Sequence, residues 1–180
     1  MKQDKHFQII EADDSHADFL ADFGRRSFVD AYKETLSLRD LEEYTKGAFS
    51  KSNISAEIND PSAIFFVCRD SESNLCGYSK LILSPPPACI DPDRTIELQR
   101  LYVDERYRGQ GIGKLLSMHV ESHTGNRGFY SIWLRVWDGN IIAQRKYLKW
   151  NYSMVAKERY QVGGDERIVI LMRKILSNGQ

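Results

Sequence analysis

The chain has 180 residues, enough to bury a sizeable core in one domain without help from disulfides or metals. Its 25 Lys and Arg balance 25 Asp and Glu, and 42% of its residues are hydrophobic. This is an ordinary globular composition, and it excludes bulk attraction to nucleic acid or to an anionic membrane.

Cys68, Cys76 and Cys89 form no Cys-x-x-Cys pair, so neither a disulfide framework nor a zinc site is expected, and no metal is. No segment approaches the roughly 20 apolar residues of a membrane span. The polar start MKQDKHFQIIEADD lacks the apolar stretch of a signal peptide. Reduced thiols and a cytoplasmic location are the expectation.

Phe7–Glu11 reads as a first strand. Asp13, Asp14 and Ser15 are N-cap types, and Phe19, Leu20, Phe23, Phe28 and Ala31 follow at helical spacing. A second helix is predicted after Ser37, carrying Leu38, Leu41 and Tyr44, and a short third one over 51–60. Ala63–Arg69 and Leu75–Leu83 read as a hairpin around Asp70–Asn74. Three prolines after Ser84 stop the second of these strands. Strand Thr95–Val103, helix Gly111–His123, strand Tyr130–Val136 and helix Gly139–Lys149 follow. A last hairpin, Tyr152–Gln161 and Glu166–Ile175, turns at Gly163-Gly164. The expectation is one mixed α/β domain over 1–180, with a mostly antiparallel central sheet flanked by helices.

The stretch LYVDERYRGQGIGKLL, residues 101–116, carries the chemistry. A strand ends at Val103, Gly109, Gly111 and Gly113 alternate, and an amphipathic helix begins. Glycines let backbone approach a ligand, and the first helical turn offers unpaired N–H groups and the positive end of the macrodipole. Together these make a pyrophosphate seat. A Walker A loop fails, because its first Gly would be Arg108 and its Ser or Thr would be Leu115. The dinucleotide fingerprint fails because its third Gly would be Lys114.

Arg108-Gly109-Gln110-Gly111-Ile112-Gly113 resembles the R/Q-x-x-G-x-G/A signature of the GNAT superfamily of acetyltransferases. Asn140-Ile-Ile-Ala143-Gln-Arg-Lys-Tyr147-Leu-Lys149-Trp-Asn151-Tyr152 is similar to that family's N-x-x-A-x-x-x-Y-x-K-x-G-F segment. Asn151 replaces a Gly there and is the next best residue for left-handed backbone.

The resemblance implies an acetyl-CoA co-substrate. Leu101, Tyr102 and Val103 would pair with its pantetheine arm, Arg108 to Lys114 would seat its pyrophosphate, and Asn140 and Lys149 would line its path. It also implies an acetyl transfer to a small-molecule primary amine, without an acyl-enzyme. Tyr147 is the candidate acid toward the coenzyme's sulfur, its plainer reading being a core aromatic. Glu97, with Gln99 on the same strand face if alternation holds, is the candidate base for the amine, directly or through water. Its plainer reading is a solvated glutamate or an ion pair with Arg100. Ser117 and Ser122 beside His119 and His123 make no triad geometry.

SFVDAY at 27–32, the acidic helix over 38–49 and IELQRLYV at 96–103 resemble the PaiA-like spermidine/spermine type. Between Glu11 and Asp60, 12 acidic residues face 6 basic ones. By resemblance those helices wall the acceptor side. Glu34 and Glu42, with Asp30 and Glu43, would then draw a polyamine whose methylenes pack on Phe28 and Tyr32. The alternatives are acetylation of a protein N-terminus or ribosomal protein, and a coenzyme A sensor without turnover. The 152–175 hairpin could pair with a second copy to form a homodimer.

Overall fold

The computed structural model describes residues 6–176. In chain order it contains β1 (Gln8–Glu11), α1 (Ala17–Tyr32), α2 (Leu38–Ala48), α3 (Lys51–Ile58), β2 (Ala63–Arg69), β3 (Leu75–Ile82) and β4 (Thr95–Val103). Then come α4 (Ile112–Asn126), β5 (Ser131–Trp137), α5 (Ile141–Lys149), β6 (Ser153–Val162) and β7 (Asp165–Ile175). The seven strands form one sheet in the order β1-β2-β3-β4-β5-β7-β6. Every pairing is antiparallel except β4 with β5.

Helix starts follow side-chain chemistry. Ser37 accepts from Asp40 N–H at 3.1 Å and Ser50 from Asn53 N–H at 3.2 Å, each satisfying one of the N–H groups a helix leaves unpaired. Asp13 caps a single 3₁₀ turn over Asp14–His16, and α1 continues from it. Ala31, counted with the apolar stripe of α1, is exposed. The buried seam of α4 runs Ile112, Leu116, Val120 and Thr124 at strict i,i+4 spacing, which leaves Leu115 37% exposed. His119 and His123 lie at the seam's edge against the Phe66 ring, where burial lowers both imidazole pKa values and favours the neutral ring.

The two largest cores lie on opposite faces of the sheet. Phe23, Phe28, Leu41 and Ile54 of α1–α3 pack with Phe65, Val67 and Tyr78. On the other face, Val120 of α4 and Ala143 and Tyr147 of α5 pack with Phe66, Leu81, Leu98, Ile132 and Leu134.

One buried charge cluster ties α3 to the sheet. Glu57 accepts from Lys80 at 2.8 Å and Arg100 at 3.1 Å. Lys80 is 1% exposed and Arg100 8%. Desolvation, then the neighbouring Arg100, lowers the Lys80 pKa. Glu57→Ala would strand two buried cations, and a loss of about 3–5 kcal/mol is expected in urea unfolding. Adding Lys80→Met should recover part of that loss; no recovery would show that the ion pairs are not its cause.

Candidate active site

The site originates where the sheet parts. β4 and β5 pair only through Thr95–Ser131, Ile96–Ile132 and Glu97–Trp133. Beyond Glu97 the two strands diverge. A bulge contributes, because Leu98 pairs with Leu81 and Arg100 with Lys80, leaving Gln99 as the extra residue. The bulge also resets the alternation. Ile96, Leu98 and Leu101 belong to the core under α4 and α5, while Tyr102 joins the core under α1. A cavity of about 1100 Å³ occupies the gap and reaches both faces of the sheet.

One end of the cavity is built by the glycine loop. Gly109 has φ 81° and Gly111 φ 85°, backbone that an L-residue holds only at a cost of about 1–2 kcal/mol. A Cβ at either position would meet nothing within 4 Å, and both glycines line the open end of the cavity. The first backbone bond into the loop runs from Leu115 N–H to the Gly111 carbonyl at 3.0 Å. The N–H groups of Ile112, Gly113 and Lys114 therefore have no helical partner and point out of the end of a 15-residue helix. Arg108 and Lys114 line the same region. Oriented N–H groups, two cations and open space fit a pyrophosphate. Along β4, the side of Leu101–Val103 turned away from β3 is open to the cavity, so its peptide groups can pair with an extended amide chain.

The middle of the cavity holds the candidate proton-transfer groups. Glu97 is 5% exposed. Its Oε2 accepts from Ser84 Oγ at 2.6 Å and its Oε1 from Arg135 at 2.8 Å. Its ion-pair partner is thus Arg135 and not Arg100. Arg135 also donates to Glu158 at 2.5 Å, so two carboxylates share one guanidinium. Tyr147 comes from the opposite face, on α5, with its ring edge-on to Trp150 at 5.6 Å and Tyr152 at 5.4 Å. Burial pushes its phenol well above the ordinary value, so the proton stays on. Asn140 caps α5, its Oδ1 accepting from Ala143 N–H at 3.1 Å, which leaves its NH₂ group for the cavity it lines.

The far end is walled by α1, α2, β5, β6 and β7. Phe28 and Tyr32 are there, joined by Tyr44, Trp137, Tyr160, Arg167 and Val169. The tip of the β6–β7 hairpin is fastened across this end. Gly164 N–H donates to Asp40 at 2.8 Å, and Arg167 donates to the Thr35 carbonyl.

Four expected site residues are not brought to the cavity. Gln110 turns its amide back onto the Arg106 carbonyl at 3.2 Å. Lys149 is exposed at the end of α5, and Lys146, nearly one turn earlier, lines the wall in its place. Glu34 and Glu42 sit on exposed faces between α1 and α2 and on α2. Several of the acids are held within the segment itself: Asp14 accepts from Ser55 and Asn59, Asp18 pairs with Lys51, Asp22 with Arg25 and Arg26, and Asp30 with Lys33.

Sequence reasoning missed Arg135, Trp137, Tyr160 and Arg167. The available signal was the alternation Trp133, Arg135, Trp137 on one face of a central strand. Among the described residues no group of three His, Cys, Asp or Glu could hold a metal ion, and no helix is long and apolar enough to cross a membrane.

Residues 20–152 match the model of the Acetyltransferase (GNAT) family. An uncharacterised N-acetyltransferase from the pepI 3′ region of Lactobacillus delbrueckii subsp. lactis is 24% identical over 96% of this chain and 97% of its own length. The PaiA N-acetyltransferase of Thermoplasma acidophilum, solved with coenzyme A, superposes with a TM-score of 0.75 at 21% identity, covering 94% of this chain and 99% of that one. The spermidine/spermine N-acetyltransferase SpeG of Vibrio cholerae superposes with a TM-score of 0.67 at 16% identity over 94% and 92%. With the parted strands and the glycine cradle, these matches make the chain a member of the GNAT family and an acetyl-CoA-dependent N-acetyltransferase.

Proposed function

We propose that the acetyl group passes directly to a primary amine inside the gap between β4 and β5. One observation carries this reading: Glu97 and Tyr147, from opposite faces of the sheet, line the same cavity as the glycine cradle. Bound acetyl-CoA supplies the acetyl as an activated thioester. The loop from Arg108 to Lys114 holds the phosphates, and Leu101–Val103 with Asn140 orient the arm. Each Glu97 oxygen already accepts one bond and keeps a lone pair, so the carboxylate can take the proton of the incoming ammonium, directly or relayed by a water held there. A backbone N–H near Tyr102 or Val103 would polarise the acetyl oxygen. Tyr147 donates the phenolic proton to the departing sulfur.

Amine-dependent release of coenzyme A thiol tests transfer against a sensing role, in which no amine stimulates release. In Glu97→Gln the rise of kcat/KM with pH should move or disappear. An identical profile would remove Glu97 from the proton path.

The polyamine acceptor draws support from the likeness to PaiA and SpeG, but Glu34, Glu42 and Glu43 do not line the cavity and Asp30 is paired with Lys33. The cavity wall itself carries more Arg and Lys than Asp and Glu. Buried free Cys68 and Cys76 and exposed free Cys89 suit a cytoplasmic enzyme. β6 ends the sheet, and its outer edge is where a second copy would pair in a homodimer.

A further inference from the structure

We infer that the acceptor is a monoamine with a flat aromatic body; this rests on the transfer reading above and names its substrate class. Four rings form a continuous chain along the far end of the cavity. Tyr44 stacks on Phe28 at 4.4 Å, Phe28 meets Tyr32 at 4.5 Å, and Tyr32 meets Trp137 at 5.5 Å. The Tyr32, Tyr44 and Trp137 side chains are half-buried and line the cavity. Arg167 lies over the Trp137 ring at 5.7 Å and Phe28 covers one face of Tyr44, so a ligand would meet the parts of these rings that remain open to the cavity. Burial raises the Tyr32 phenol to about 12, so this ring presents a neutral hydroxyl, and the charge at this end of the cavity comes from Arg167 and not from the tyrosines.

The charges here distinguish one ammonium from several. Glu97 is the carboxylate at the parting of the strands, and it suits a single ammonium next to the acetyl. Farther from it, a second ammonium would meet the guanidiniums of Arg100 and Arg167, which both line the cavity. Arg100 is bound to Glu57 and Arg167 to Asp165, so their carboxylates are already taken. Asp30, the acid nearest the rings on α1, is about half exposed and paired with Lys33 at 3.3 Å. A polycation needs several free carboxylates, and like charges facing each other in a confined space repel strongly. A flat ring can join this row of rings in an offset or tilted geometry.

The test compares 2-phenylethylamine, n-butylamine and spermidine in two readouts. Steady-state thiol release gives kcat/KM, and quenching of tryptophan fluorescence in the presence of coenzyme A gives affinity without turnover. 2-Phenylethylamine should exceed both other amines by about tenfold or more in each readout. In Trp137→Leu its advantage over n-butylamine should fall to about threefold or less, with coenzyme A binding by calorimetry showing that the fold persists. Spermidine matching or beating 2-phenylethylamine would overturn the inference, as would equal affinity for the aryl and alkyl amines. An unchanged ratio in Trp137→Leu would overturn it too. Failure of every amine to release thiol, with the aryl preference still present in binding, would sink acetyl transfer and leave the aromatic site standing.

Discussion

Gly111→Trp is expected to lose coenzyme A binding by about 10²-fold or more, measured by calorimetry. The side chain would project into the open cradle and displace the phosphates from the N–H groups at the start of α4. Two hydrogen bonds to a charged group, at about 1.5–3 kcal/mol each, account for a loss of that size. Backbone strain is a competing cause, because Gly111 has φ 85°. Gly128 separates the two. It follows the end of α4 with φ 81° and open space around it, and it is remote from the cavity. Gly128→Trp should carry the same strain and bind coenzyme normally. Equal losses in the two variants, or undiminished binding in Gly111→Trp, would remove the pyrophosphate seat from this loop.

Tyr147→Phe should lower turnover by about 10²-fold or more with little change in coenzyme affinity. The substitution keeps the ring contacts with Trp150 and Tyr152 and deletes only the hydroxyl. Burial keeps the Tyr147 proton in place, so the hydroxyl is available as a donor throughout the neutral range. If turnover were unchanged, Tyr147 would be a packing residue of the α5 core.

Most of the candidate coenzyme end, Gln110 and Lys149 apart, could be placed at the cavity from sequence because its determinants are local. A strand, alternating glycines and a helix start lie within residues 101–116, and Asn140 and Tyr147 are two helical turns apart on one element. Ser37 as a cap and the hairpin around Asp70–Asn74 were readable for the same reason. The acceptor end was not. Its wall joins Tyr32 and Tyr44 to Trp137, Tyr160 and Arg167, residues brought together by sheet order and by a hairpin tip seated on α2. Counting acids between Glu11 and Asp60 suggested an acidic acceptor side. Asp18 and Asp40, however, find their partners 33 and 124 residues away, and no local count reveals such pairings. The bulge at Gln99 was equally hidden, since nothing in IELQRLYV announces an extra residue.

The parting of β4 and β5 also bears on how tightly the fold is held. A sheet normally satisfies the peptide groups of a central strand on both sides. Here the edges of Leu101–Val103 and of the end of β5 both face the cavity and do not pair with each other. An extended amide chain seated between them, as proposed for the coenzyme's arm, would do the work of a missing strand, and could do so only in the folded protein. Coenzyme binding and global stability are therefore linked by mass action. Coenzyme at a hundred times its dissociation constant adds about 2.7 kcal/mol. For a chain of this length that raises the melting temperature by roughly 5–10 °C, so the coenzyme supply in the enzyme's surroundings also sets how often the enzyme unfolds.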